Sequence, residues 1–272
     1  MSIIFDINFL RDLARVNKHS YTNAAPFPHI VIDQVANERL AEECSKAFPS
    51  PNDSRWFSYP IEDITQKNKQ VLWDISKMPH EVQSAVTALN SAPFLRFLEV
   101  LTGIPHLISD PFLYGGGMHQ IRTDGMLEVH VDCDFNPRLQ LYRRVTVLWY
   151  LSQWLPEYKG GLELWEGCKN NEEEYLIKCV KSIVPFFNRM VIFTNTESSY
   201  HGHPVPLRCP ENLVRKSIAT YYFSAEPDQS YSIYNHHKAR FIPLPSVGLN
   251  PAMTLFRKQR ARLDSVAVKG VY

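Results

Sequence analysis

The chain has 272 residues, of which 44% are hydrophobic and 21% are charged, so it is long enough for one large domain with a buried core. Its 29 basic residues nearly balance 28 acidic ones, which excludes a global charge favouring nucleic acid or an anionic membrane. The five cysteines are widely spaced and include no C-x-x-C pair, which disfavours a disulfide framework or a zinc ribbon. Reduced thiols, the lack of a signal-peptide pattern and the lack of a long apolar run predict a cytoplasmic protein without a membrane partner.

Helical spacing of apolar residues dominates the first part of the chain. The sequence PFPHIVID predicts a strand at residues 26–33, and polar residues 50–70 predict a loop. We expect helices at 3–16, at 38–48 after a capping Asn37, at 80–90 and at 93–103. We expect residues 1–109 to pack as N-terminal helical and strand elements on the core that follows.

The pattern changes after residue 110, where short runs rich in Val, Ile, Tyr and Trp follow turn signals at close intervals. Such runs predict a β-sandwich or barrel, here at residues 110–226. The expected strands are FLYGGGMHQI, MLEVHVD, YRRVTVLWYLS, LELWEG, YLIKCVKSIV, RMVIFTN and RKSIATYYFS. Residues 227–272 form a C-terminal extension in which LFRKQRARL (255–263) predicts a basic, solvated helix.

A candidate metal site begins with His130 and Asp132 in the MLEVHVD run. Residues two apart on a strand face the same side, so an imidazole and a carboxylate project together. A second histidine from SSYHGHPVPL, either His201 or His203, would complete the facial triad of non-haem iron(II) oxygenases. The H-x-D pattern alone is weak, because a surface histidine beside an acidic turn produces it equally well.

A basic residue, Arg215, opens the strand-like run RKSIATYYFS. A guanidinium at that position can bind one end of a dicarboxylate through two hydrogen bonds. The alternative is that Arg215 and Lys216 form a solvent-exposed strand entrance, and without the upstream histidines that alternative is favoured.

The order of these blocks resembles a known family. GMLEVHVD, YRRVTVLWYLS, GGLELWEG, FFNRMVIFTN, YHGHPVPL and RKSIATYYFS follow one another as in the prolyl-hydroxylase branch of the iron(II)/2-oxoglutarate-dependent oxygenases. The resemblance covers residues 110–226 strongly and PFPHIVIDQVANERLAEECSKAFP more loosely. It implies a mainly β fold, a double-stranded β-helix of the jelly-roll or cupin-like type, with flanking N-terminal helices.

The resemblance also implies roles for matching residues. His130, Asp132 and His201 match the catalytic metal ligands, and His203 is an additional histidine that competes with His201 for the third position. Asp132 further favours hydroxylation chemistry, since related halogenases replace this carboxylate with a small residue.

The same resemblance implies that three residues bind the cosubstrate. Arg215 matches the basic residue that pairs with the distal carboxylate of 2-oxoglutarate, in a typical R-x-S context that includes Ser217. Tyr150 matches a tyrosine that binds the same carboxylate in some prolyl hydroxylases. The implied cofactors are Fe(II), 2-oxoglutarate and O₂, with ascorbate as a candidate stimulant.

The substrate is the least determined part of the hypothesis. Candidate contacts near the ligands are Gln120, Arg122 and Trp165, together with Asp134 and Arg143; each has an alternative interpretation as a rim or core residue. One function is hydroxylation of a proline-like or other amino-acid residue, free or in a peptide or protein. The others are a tailoring oxygenase of a small metabolite, performing hydroxylation, desaturation or epoxidation, and a non-enzymatic binding protein. The oligomeric state is left open.

Overall fold

The computed structural model describes residues 4–60, 63–170, 173–227 and 239–245. Within these ranges the chain forms four α-helices and thirteen β-strands. The helices are α1 (Ile7–Thr22), α2 (Glu38–Ala47), α3 (His80–Leu89) and α4 (Ala92–Thr102). The strands are β1 (His29–Ile32), β2 (Phe57–Ser58), β3 (Gln66–Leu72), β4 (Ile108–Ser109), β5 (Gly117–Val131), β6 (Phe135–Asn136), β7 (Leu141–Tyr150), β8 (Leu162–Lys169), β9 (Glu174–Ile183), β10 (Arg189–Thr194), β11 (Tyr200–His203), β12 (Arg215–Ser224) and β13 (Arg240–Phe241).

The described strands form one curled antiparallel sheet in the order β1-β10-β7-β12-β5-β11-β8-β9. Strand β3 pairs with β5, β2 with β3, β4 with β12, β6 with β7 and β13 with β5. Apart from β8 and β9, neighbouring strands along this order are not consecutive in the chain, as the double-stranded β-helix predicted from the sequence requires. The fold is therefore mainly β, with a jelly-roll core and helices from the N-terminal part of the chain.

Successive side chains of the central strands face opposite sides of the sheet, one side packed against the helices and the other lining a cavity. On β7, Val145, Val147 and Trp149 join the core cluster shared with the helices, while the three residues between and after them, Thr146, Leu148 and Tyr150, line the cavity. Strand β12 repeats this arrangement, with Ile218 and Tyr222 in the core and Arg215, Ser217 and Tyr221 at the cavity. The period of two follows from strand geometry and assigns one face of the sheet to polar function.

The helical layer covers the other face of the sheet. Helix α1 begins after Asp6, whose carboxylate accepts hydrogen bonds from the backbone amides of Asn8 and Phe9. This cap explains why the helix starts at Ile7, later than expected, and it runs on to Thr22. Buried side chains of α3 and α4 complete the core with Trp149, so the sheet is held rigid behind the cavity.

Two parts of the sheet differ from the sequence prediction. Residues 50–70 were expected as a loop but contain β2 and most of β3, because β3 has a polar sequence that faces the cavity and solvent. The two expected strands FLYGGGMHQI and MLEVHVD form the single strand β5, which passes through Asp124 at a left-handed φ of 59°. The expected helix at 255–263 lies outside the described residues, and the domain boundaries at 109 and 226 stay predictions.

All five cysteines are free thiols, and Cys44 and Cys209 are buried. In the described ranges no helix combines the length and the apolar character that crossing a membrane requires.

Close packing of β11 against β5 generates a stability prediction. A Cβ at Gly202 would lie 2.8 Å from the carbonyl oxygen of Glu128 and 2.9 Å from that of Leu127. Gly202→Ala must therefore push the two strands apart, and we expect the free energy of unfolding to fall by about 1–3 kcal/mol. Urea unfolding followed by circular dichroism measures this change. Val205→Ala, at an exposed side chain, is the control, and an equal loss in both variants would contradict the packing argument.

Candidate metal centre

Two histidines and one carboxylate meet where β11 pairs with β5. His201 lies directly opposite His130 in this pairing, and their ring centroids are 4.4 Å apart. The Oδ1 atom of Asp132 is 3.5 Å from His130 Nε2, and its Oδ2 atom is 3.8 Å from His201 Nε2. Potential ligand atoms of the three residues all lie within 4.8 Å of one another, so one ion can contact all three.

Both histidines have the orientation that a metal ligand needs. The Nδ1 atom of His130 is 2.9 Å from the carbonyl oxygen of Glu128, and that of His201 is 2.8 Å from the carbonyl oxygen of Ser199. A carbonyl accepts only from a protonated nitrogen, which places the proton on Nδ1 and leaves the Nε2 lone pair free. Burial first, and then the neighbouring His130, lower the pKa of His201 to about 4, so its ring is neutral at pH 7.

The carboxylate of Asp132 is held ionised by a buried cation. Burial by itself would raise its pKa, but the Arg143 guanidinium holds that pKa well below its usual range. Arg143 Nη1 lies 3.4 Å from Asp132 Oδ2, and the Thr146 hydroxyl is a weak donor to the same oxygen at 3.4 Å. Asp132 is therefore an anionic ligand at any physiological pH.

His203 is buried on the same strand but is separate from this cluster. It lies opposite Leu127, and a shift in register separates it from His201. The group of ligand-type side chains found in the described residues contains His130, Asp132 and His201. Burial first, then the positive charges of Arg215 and Lys69, lower the pKa of His203 well below its ordinary value.

The three expected cosubstrate residues also lie together. Arg215 is 5% exposed, and its Nη2 atom donates to the Tyr150 hydroxyl at 3.3 Å. Ser217 lies opposite Tyr150 across the β12–β7 pairing and is buried. No carboxylate of the described residues pairs with Arg215, and its Nε atom is buried without a hydrogen-bond partner. A buried, uncompensated guanidinium is costly, which is the condition that an anionic ligand relieves.

One cavity of about 200 Å³ connects the metal cluster with Arg215 and opens to solvent. Around it, Asp132 is the sole carboxylate among the described lining residues, whereas Lys69, Arg143 and Arg215 are cationic. The remaining polar or aromatic lining side chains are Tyr59, Gln66, Tyr114, His119, His130, Thr146, Tyr150, His201, His203, Ser217, Tyr221 and Phe241. The excess of cationic over anionic side chains around the cavity favours the binding of anionic ligands.

The expected substrate contacts are mostly elsewhere. Gln120 points away from the cavity and donates its side-chain amide to Gln70 at 2.8 Å. Arg122 is exposed, and the Trp165 indole packs against a separate apolar cluster while donating to Glu163. The structure does not bring these three to the cavity. Two further candidates were Asp134 and Arg143, and of these Arg143 lines the cavity.

Sequence reasoning missed two cavity residues, Lys69 and His119. Lys69 was assigned to a loop, although it lies directly opposite Ile121 on β5. The residue next to His119, Gln120, was instead named as a candidate substrate contact. Register irregularities in the pairing of β5 change which of its residues face the cavity, and no feature of a single sequence locates them.

The donor set fits iron(II). Two imidazoles oriented through Nδ1 and one ionised carboxylate constitute the 2-His-1-carboxylate arrangement typical of non-haem iron(II) oxygenases. The backbone carbonyls and Arg143 supply the outer contacts that orient such ligands.

Comparison with known proteins agrees with this chemistry. A family model for the 2OG-Fe(II) oxygenase superfamily matches residues 116–223, a range that includes all the site residues described above on β5, β7, β11 and β12. No curated protein sequence matches the chain significantly.

Solved structures share the fold at low identity. A prolyl hydroxylase from Trichoplax adhaerens, solved with a hypoxia-inducible-factor peptide fragment, is 17% identical with a TM-score of 0.50, covering 80% of this chain and 91% of its own. HygX from Streptomyces hygroscopicus, solved with nickel, 2-oxoglutarate and hygromycin B, is 13% identical with a TM-score of 0.50, covering 79% and 92%. The epimerase SnoN from nogalamycin biosynthesis is 12% identical with a TM-score of 0.52, covering 90% and 91%.

The family model and the His-Asp-His cluster agree on iron and 2-oxoglutarate as cofactor and cosubstrate. Residues 116–223 therefore match the 2OG-Fe(II) oxygenase superfamily across the strands that carry the His-Asp-His cluster, and this match indicates a 2-oxoglutarate-dependent dioxygenase.

Proposed function

We propose that this dioxygenase hydroxylates an aliphatic C–H bond of a proline-like or other amino-acid residue, either free or within a peptide or protein. The observation that carries the proposal is the position of Arg143. Its guanidinium contacts Asp132 at 3.4 Å and lines the cavity, yet its Nε atom is buried without an acceptor. An amino-acid residue brings a carbonyl or carboxylate oxygen close to its aliphatic carbons, which supplies the acceptor that Arg143 lacks.

The stacking of Arg143 keeps that donor in place. Its guanidinium carbon lies 3.7 Å from the centroid of the Tyr221 ring, and its Nη2 atom is a distant 3.5 Å from the carbonyl oxygen of Tyr114. A planar guanidinium packed on an aromatic face loses little further freedom when it binds a ligand. Arg143 is therefore suited to orient a substrate beside the metal ligands.

Cavity size supports a substrate that inserts only one end. A volume of about 200 Å³ is below the roughly 300–1,000 Å³ of pockets that enclose a whole drug-sized ligand. Once 2-oxoglutarate is bound, the remaining space admits one small aliphatic group while the rest of the substrate stays at the opening. A side chain of an amino-acid residue meets this condition.

Metal and cosubstrate would be held by the residues identified above. His130, Asp132 and His201 would hold Fe(II), and Arg215 with Tyr150 and Ser217 would hold the distal carboxylate of 2-oxoglutarate. Bound Fe(II), with 2-oxoglutarate and O₂, supplies the oxidising chemistry that converts a C–H bond to C–OH.

Aromatic side chains keep the histidines oriented and shielded from water. The Phe241 ring lies 5.2 Å from that of His130, and the Phe193 ring lies 4.6 Å from that of His201. Such packing locks the imidazole orientation that the backbone hydrogen bonds select. The protein thus fixes the ligand geometry and excludes solvent from the metal side of the cavity.

We also propose a cytoplasmic location, supported by the five free thiols, and a partner limited to substrate rather than nucleic acid. A small natural-product metabolite is the alternative substrate, processed by hydroxylation, desaturation or epoxidation.

Succinate formation tests the substrate class. The Fe(II)-loaded enzyme should release succinate from 2-oxoglutarate above its basal rate when given free amino acids or proline-containing peptides, and the product should gain one oxygen atom by mass spectrometry. Stimulation only by non-amino-acid metabolites, or a product that has lost two hydrogens, would contradict the proposed substrate or reaction and favour the alternative.

Ligand substitutions test the metal assignment. His130→Ala, Asp132→Ala and His201→Ala should each lose bound Fe(II) and 2-oxoglutarate turnover, because two ligands hold the ion weakly. His203→Ala should retain one iron per chain, measured by metal analysis after gel filtration. Retained iron in His201→Ala combined with lost iron in His203→Ala would reverse the assignment of the third ligand.

Arg215→Ala should raise the 2-oxoglutarate concentration for half-maximal turnover by tenfold or more, since a hydrogen bond to a charged group contributes about 1.5–3 kcal/mol. Lys216→Ala is the matched control, because the Lys216 side chain leaves the opposite face and donates to the carbonyl oxygen of Ser45. Equal half-saturation in Arg215→Ala and Lys216→Ala would disprove the role of Arg215.

A further inference from the structure

The histidine that the metal cluster leaves out, His203, has an unusual environment. It is 3% exposed, and neither of its ring nitrogens has a hydrogen-bond partner. A neutral imidazole carries one donor and one acceptor. Leaving both buried and unpaired is unfavourable, so the ring is suited to a ligand that enters the cavity it lines.

Strand β5 shows where along the cavity His203 lies. His130 on β5 marks the metal cluster, Leu127 lies opposite His203, and Ile121 lies opposite Arg215. His203 is therefore placed at a level between the metal cluster and Arg215. In the proposed function, 2-oxoglutarate extends from the metal to Arg215 and must pass this level.

Two cationic side chains, Arg215 and Lys69, line the same cavity as His203. A neutral imidazole next to cations serves best as a partner for the anion that those cations bind. Because Arg215 lacks a protein carboxylate among the described residues and has an unpartnered Nε atom, the anion expected there is the distal carboxylate of 2-oxoglutarate.

We propose that His203 is a cosubstrate-binding residue, whose ring N–H donates a hydrogen bond to the carboxylate of 2-oxoglutarate that Arg215 binds. The proposal rests on the proposed cosubstrate role of Arg215. It assigns the second histidine of the YHGH strand to cosubstrate recognition, while His201 two residues earlier serves the metal. The two histidines lie opposite residues three apart on β5, His130 and Leu127, which places them at different levels of the cavity.

Calorimetric titration of the Mn(II)-loaded protein with 2-oxoglutarate, without turnover, tests this proposal. His203→Leu should keep one Mn(II) per chain and bind 2-oxoglutarate at least tenfold more weakly than the unsubstituted protein. His203→Gln keeps an N–H donor and should recover affinity to within about threefold. His29→Leu, at another buried histidine outside the cavity, should bind 2-oxoglutarate as the unsubstituted protein does.

A second titrant separates a hydrogen bond from general damage to the cavity. The 2-oxo acid 2-oxobutyrate lacks the distal carboxylate, so His203→Leu should bind it as well as the unsubstituted protein does. Equal weakening of both titrants, unchanged affinity for 2-oxoglutarate, or loss of Mn(II) in His203→Leu would each overturn the assignment. Failure of the unsubstituted protein to bind 2-oxoglutarate would instead overturn the proposed function and this inference with it.

Discussion

The alternation of side chains along β5, β7 and β12 is the constraint on which the rest of the structure depends. Each strand must satisfy two environments at once, because successive residues face opposite sides of the sheet. Trp149 and Ile218 join the helices in a dry core, while Tyr150 and Ser217, their immediate neighbours, face the cavity. The helical layer therefore does more than bury apolar surface, since it holds rigid the strands on which the polar groups stand.

Charge arrangement in the cavity follows from that rigidity. Asp132 is largely buried and lies 3.4 Å from the buried Arg143 guanidinium, so the carboxylate stays ionised and available to a metal. Arg215, farther along the cavity, has a tyrosine hydroxyl as partner but no protein carboxylate among the described residues. In the proposed function, Arg143 therefore supports the metal ligand Asp132, while Arg215 binds the cosubstrate, so the two binding events use different parts of a single cavity.

Much of this was predictable from the sequence. The double-stranded β-helix, the oxygenase family and the grouping of His130, Asp132, His201, Arg215 and Tyr150 followed from six blocks in a family order. The fold is confirmed, and the match to the predicted family covers residues 116–223, while the individual roles of the residues stay predictions.

What the sequence could not reveal depends on register. Bulges displace the alternation along β5, so His119 rather than Gln120 faces the cavity. Lys69 was hidden in a polar segment, because a strand that faces a polar cavity and solvent lacks the apolar signal that identifies strands. The extra residue of β5 opposite the His201–His203 segment is likewise a property of pairing between distant segments, which local sequence does not encode.

We propose that one iron, bound by His130, Asp132 and His201, creates the binding site for 2-oxoglutarate together with Arg215. Anaerobic calorimetry of 2-oxoglutarate binding to the protein with and without Fe(II) tests this proposal. We expect one Fe(II) per chain and tight 2-oxoglutarate binding only when iron is present. Equal 2-oxoglutarate affinity in metal-free protein, or the absence of stoichiometric iron binding, would contradict it.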